Sequence, residues 1–196
     1  MIELIKPNTP DPSRLKELFD SVARRGHYTN HGPLVHELES SLQGFTAHQS
    51  MLYVANGTLA VQLALKAVVP KGKVLTTPYS YVATSNAILW QGLGLRFVDL
   101  GEGGFFPDPE KLEEAIDDSV TAILMTSVYG LPGPIERYKE IADAHGLPFI
   151  LDAAHVFDVR WRGLRLDHWS DVACYSFHAT KTFHTVEGGG FLLFCC

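Results

Sequence analysis

A chain of 196 residues is long enough for one good-sized α/β core but not for two large domains. Hydrophobic residues make up 46% and charged residues 19%, the balance of a folded globular protein rather than a disordered one. With 16 basic against 22 acidic residues the net charge is -6; no Lys/Arg-rich run or basic helix face argues for nucleic acid, and no apolar run approaches bilayer-spanning length.

The start, Met1 to Pro7, lacks the apolar core of a secretory leader, so a cytoplasmic protein is expected. Asp11-Pro12 reads as an N-cap followed by proline at the first helical position, and Leu15, Leu18, Phe19 and Val22 continue at helical spacing until Gly26. A turn-rich segment, Tyr28 to Pro33, leads into a second helix carrying Leu34, Leu38 and Leu42. From Met51 the pattern changes to short apolar runs (51–55, 74–77, 95–98, 120–126 and 148–151) alternating with helical segments (59–69, 82–91, 111–116 and 135–145). Val172 to Tyr175 and Phe191 to Phe194 read as two further buried strands. Such alternation predicts an α/β fold, a mostly parallel sheet sandwiched by helices, with no domain boundary inside 1–196. Of the three cysteines, Cys174 falls in a predicted strand while Cys195 and Cys196 are adjacent; this is neither a disulfide framework nor a metal spacing, and reduced thiols are expected.

Ligands of such a sheet bind at the carboxyl ends of its strands, so those ends are where chemistry is sought. After Val54 come Asn56, Gly57 and Thr58 at the start of a helix, where free N–H groups and the Thr58 hydroxyl suit a phosphate; an ordinary glycine turn with Thr58 as N-cap is the plainer alternative. After Thr77-Pro78 come Tyr79, Ser80 and Tyr81, aromatics on which a flat cofactor could stack or which simply pack at the rim. Asp152 ends a fully apolar strand, where a buried acid needs a cationic or hydrogen-bonding partner such as a protonated pyridine nitrogen, unless it caps a helix. Lys181 lies between a strand and three consecutive glycines, Gly188 to Gly190, which let a backbone or a flat ligand come close; a shielded lysine is a nucleophile towards carbonyls, an unshielded one only a surface charge. His155, His178 and His184 lack the HExxH or cysteine company of a metal centre, so no metal is expected, and no GxSxG elbow supports a hydrolase. Phosphate cradle, aromatic stack, acid for a ring nitrogen and activated lysine together describe a pyridoxal-phosphate site.

These residues, with Thr29-Asn30-His31-Gly32-Pro33-Leu34, Thr77 to Thr84, Asp152-Ala153-Ala154-His155 and Ser176-Phe177-His178-Ala179-Thr180-Lys181, resemble the DegT/StrS family of nucleotide-sugar aminotransferases, of the aspartate-aminotransferase fold. The resemblance implies Lys181 as Schiff-base lysine and proton-transfer base, and Asp152 as partner of the pyridinium nitrogen. It implies Gly57, Thr58 and Ser176 at the phosphate, Tyr81 stacked on the ring, and His155 near its other face or its hydroxyl. It further implies pyridoxal 5'-phosphate as cofactor, a nucleoside-diphosphate keto sugar as substrate (a dTDP-4-keto-6-deoxyhexose in the wording HATK and TVEGG), glutamate as amino donor, and a homodimer with the active site at its interface. The resemblance also implies a smaller C-terminal domain in the family, which is expected to be absent from 1–196. Residues 1–196 are accordingly expected to be an N-terminal segment plus the cofactor-binding large domain. The alternatives are a truncated, catalytically silent domain or a lysine-dependent Schiff-base enzyme such as an aldolase.

Overall fold

The computed structural model describes residues 6–47, 50–102, 104–186 and 188–194. The expectations for Met1 to Ile5, for Glu187 and for the terminal Cys195 and Cys196 lie outside the described residues. Helix α1 (Pro12–Arg25) begins as its sequence dictates: the Asp11 carboxylate accepts the Ser13 N–H at 2.8 Å, and Gly26 closes the helix in the left-handed conformation that glycine adopts without strain. Helix α2 (Pro33–Thr46) buries Leu42 and leads to the sheet.

The elements then alternate as expected: β1 (Met51–Val54), α3 (Gly57–Val68), β2 (Lys73–Thr76), α4 (Val82–Trp90), β3 (Gly94–Phe97), α5 (Pro109–Glu114), β4 (Val120–Thr126), α6 (Ile135–Ala144) and β5 (Phe149–Asp152). A hairpin of β6 (Arg160–Trp161) and β7 (Leu164–Arg165) and a short 3-10 turn (Leu166–Trp169) precede β8 (Val172–Ser176) and β9 (Gly190–Phe194). The main sheet has seven strands in the order β1-β9-β8-β5-β4-β2-β3. Both of its faces are covered. Along β4, Ala122 and Leu124 point to a core shared with Ala64 and Leu65 of α3 and Ile88 of α4; Ile123 and Met125 point to the other, shared with Tyr138 and Ile141 of α6. That two-sided burial is why the strands read as continuous apolar runs rather than alternating ones.

Strands β3, β2, β4, β5 and β8 pair in parallel, which bears out the expected α/β class. Strand β9 departs from it: it runs antiparallel to β8 and to β1, and thereby leaves β1 pointing the same way as the parallel set. The glycines before it explain how it fits. A Cβ on Gly190 would stand 2.6 Å from the Tyr175 carbonyl oxygen and 2.8 Å from the Asn56 carbonyl carbon, and a Cβ on Gly189 (φ 104°) would strike the Tyr53 phenol. The close approach that these glycines allow is thus to protein, namely Tyr53 and the backbone at the ends of β1 and β8. Among the described residues no helix is long and apolar enough to cross a membrane.

Candidate functional site

Since β1, β2, β4, β5 and β8 point one way, their carboxyl ends meet along one edge of the sheet, around a cavity of about 780 Å³. Gly57, Thr58, Tyr81, Asp152, His155, Ser176 and Lys181, named from the sequence, all line it. At the β1 end, Asn56 rather than Thr58 caps α3, its side chain accepting the Leu59 N–H at 2.8 Å. Gly57 and Thr58 therefore occupy the first turn, where backbone N–H groups have no partner within the helix and carry its positive end. Gly57 is needed there: a Cβ would lie 2.8 Å from the Ser176 Cβ, so only glycine lets the Ser176 hydroxyl come beside that helix end.

Asp152, at the end of β5, is 7% exposed and is not a helix cap. Its Oδ2 accepts the Thr84 hydroxyl at 2.8 Å and its Oδ1 accepts the Ala154 N–H at 3.2 Å. Among the described residues no cation is hydrogen-bonded to it. Next to it in register, Thr126 carries a buried hydroxyl without a hydrogen-bond partner. Lys181 is half-buried on the loop after β8, its N–H held by the His178 carbonyl at 2.9 Å. Burial lowers its pKa below the usual 10.5, and Asp152, acting through space, opposes that shift. Burial likewise lowers the pKa of His155, aided by the Lys181 charge and opposed by Asp152, so its imidazole favours the neutral form.

Aromatic groups build the outer wall. Tyr81 stands at the N-cap of α4 and is 76% exposed. Tyr79 and Tyr129 share a hydrogen bond at 2.9 Å between their hydroxyls, and Phe105 stacks on Tyr79 with centroids 5.5 Å apart. The Tyr129 backbone N–H reaches His155 Nδ1 at 3.4 Å. Tyr129 and Thr126 escaped the sequence reading, although the rule that found the other strand ends applies equally to the end of β4. Thr84 entered only as a letter in a motif. Among the described residues no group of three or more His, Cys, Asp or Glu side chains is arranged to hold a metal.

The donor set fits pyridoxal 5'-phosphate. It offers a helix end and a hydroxyl for a dianion, a buried carboxylate with spare lone pairs for a protonated ring nitrogen, and an amine biased towards its nucleophilic form. A family model for DegT/DnrJ/EryC1/StrS aminotransferases matches residues 11–194. The chain belongs to this family. Enzymes of the DegT/DnrJ/EryC1/StrS family depend on pyridoxal 5'-phosphate. The chain is 36% identical over 194 residues to the dTDP-4-amino-4,6-dideoxy-D-glucose transaminase of Escherichia coli, covering 97% of itself and 52% of that protein. It is 35% identical over 196 residues to the UDP-2-acetamido-2-deoxy-3-oxo-D-glucuronate aminotransferase of Pseudomonas aeruginosa, covering 97% of itself and 54% of that protein. The crystal structure of DesI with its TDP-sugar product superimposes with a TM-score of 0.90 at 29% identity, over 97% of this chain and 48% of that one. The chain thus spans about half the length of the family members it matches.

Proposed function

We propose that this chain is the cofactor-binding large domain of a pyridoxal-phosphate-dependent aminotransferase. It would pass an amino group, from glutamate, to the keto carbon of a nucleoside-diphosphate sugar, and act as a cytoplasmic homodimer. The observation that carries this reading is a single cavity holding a buried carboxylate without a cationic partner, Asp152, and a lysine whose burial favours its free amine, Lys181. The bound cofactor would supply an electron sink for negative charge developing on the carbon that carries the amino group. Gly57, Thr58 and Ser176 would bind its phosphate, and Asp152 would hold a proton on its ring nitrogen. Tyr81 and His155 would cover its two faces. The Lys181 amine would be the nucleophile towards its aldehyde and would afterwards take a proton from one carbon and return it to another.

A dTDP-4-keto-6-deoxyhexose is the favoured substrate, supported by the likeness to the Escherichia coli transaminase, named for a dTDP-4-amino-4,6-dideoxyglucose, and to DesI, whose product is a TDP-sugar. The dimer is supported by α4, which bears no charge. Its Thr84, Ala87 and Ile88 are buried, while Val82, Leu89 and Trp90 remain exposed on the opposite side. A helix apolar on both sides normally has both covered.

The test is the absorption spectrum of the purified chain with pyridoxal 5'-phosphate, before and after borohydride, in wild type and Lys181→Ala. A visible band that borohydride bleaches while fixing the cofactor covalently to Lys181, absent from the variant, is expected. Turnover of a nucleotide sugar should fall at least about a thousandfold in the variant while the fold persists. A folded wild-type chain that forms no such band overturns the reading and leaves a silent domain.

A further inference from the structure

We propose that Thr84 is a positioning residue for Asp152, aiming its carboxylate into the cavity so that one oxygen stays free for a ring nitrogen; this rests on the cofactor reading above. Thr84 sits in the first turn of α4, one turn beyond Tyr81, and is 1% exposed. Threonine within a helix commonly turns its hydroxyl back to a carbonyl of the preceding turn. Here the hydroxyl instead crosses to the end of another element and donates to Asp152 Oδ2 at 2.8 Å. The Ala154 N–H fixes Oδ1 from the chain's own next turn. One donor on each oxygen leaves the carboxylate a single low-energy orientation, with its remaining lone pairs unclaimed by any cation.

The neighbouring hydroxyl does not share this task. Thr126, next to Asp152 in register, has its Oγ1 buried without a hydrogen-bond partner, so the orientation of Oδ2 depends on Thr84 alone among these two. The arrangement also links two functions to one helical turn: the segment that offers Tyr81 to the cavity is the one that aims the acid. Thr84 touches no reacting atom and acts only through Asp152.

Two measurements on the full 196-residue chain test this. In crystal structures without cofactor, the Asp152 carboxylate should keep one orientation in wild type and in Thr84→Ser, but turn away or split into two orientations in Thr84→Val. One shared orientation in all three overturns the proposal. In calorimetric titrations, Thr84→Val should weaken binding of pyridoxal 5'-phosphate by about tenfold or more, the effect of losing a hydrogen bond to a charged group. It should leave unchanged the binding of the analogue in which a carbon replaces the ring nitrogen, and Thr84→Ser should restore wild-type affinity. Equal weakening of both ligands would mean that Thr84 only shapes the pocket, and no weakening of either would mean that it does nothing for the acid; each result sinks the proposal. A wild-type chain that binds neither ligand refutes the cofactor reading instead, and the orientation of Asp152 in the crystals then decides the role of Thr84 by itself.

Discussion

Two buried aspartates, Asp152 and Asp167, are treated in opposite ways by the same fold. Asp167, wholly buried in the turn before β8, is gripped by Arg165, whose Nη2 lies 2.7 Å and whose Nε lies 3.0 Å from its Oδ2. The Tyr175 hydroxyl adds a further bond at 3.0 Å. Burial alone would lower the pKa of Arg165, but its bonds to Asp167 and the charges around it raise it instead, so the guanidinium keeps its charge. Asp152 receives one hydroxyl and one backbone N–H, and the lysine nearest in charge acts on it only through space. A charge neutralised by its own chain is architecture; one left with capacity facing a cavity is available to a ligand.

Removing each acid sharpens that contrast. Asp167→Ala would leave the buried Arg165 guanidinium only the longer 3.5 Å ion pair to Asp158 and should cost about 3–5 kcal/mol, read as a shifted urea midpoint. Asp152→Asn should change stability by less than about 1 kcal/mol, while turnover falls about a hundredfold or more because the ring nitrogen loses its counter-charge. Comparable stability losses in the two variants would erase the distinction. Gly190→Ala, which places a methyl group against backbone atoms that cannot move aside, should cost about 1–3 kcal/mol without touching either acid.

The smallest effect concerns Lys181. Its folded pKa is lowered by burial, so at neutral pH and up to the usual 10.5 the unfolded chain holds this proton more firmly than the folded one. The cost to the fold is fully present below the lowered value and is relieved as the pH climbs towards 10.5. Lys181→Met should therefore melt a few degrees above wild type at pH 7, by about 1 kcal/mol or less, and the gap should close at alkaline pH. A gap that widens with pH would contradict the assigned burial.

The parts of this molecule that the sequence disclosed are those with a local signal. The Asp11-Pro12 start and Gly26 stop of α1, the two-sided apolar runs of the sheet, and the polar residues at or just beyond the ends of β1, β5 and β8 each carry their cause within a few residues. The direction of β9 was not legible, because an apolar run does not state which way it runs. Strands β6 and β7 were missed for a different reason. Their turn, Arg162-Gly163, has φ of 50° and 80°, as a tight hairpin requires, but arginine stands where asparagine or aspartate would give the signal. The Thr84 bond to Asp152 joins positions 68 residues apart, and nothing local in either segment announces it.

The reversed strand also governs when the site can exist. Among the described residues β1 pairs only with β9 in the sheet, so Asn56 to Thr58 are anchored at one end of the site by residues made some 130 positions later. During synthesis the strands from β2 to β8 can assemble while β1 still has no neighbour to pair with. The pairing of β1 is thus the last part of the sheet to close, and a nascent chain halted before Gly190 would hold the start of α3 against β8 and α4 without its β1 anchor.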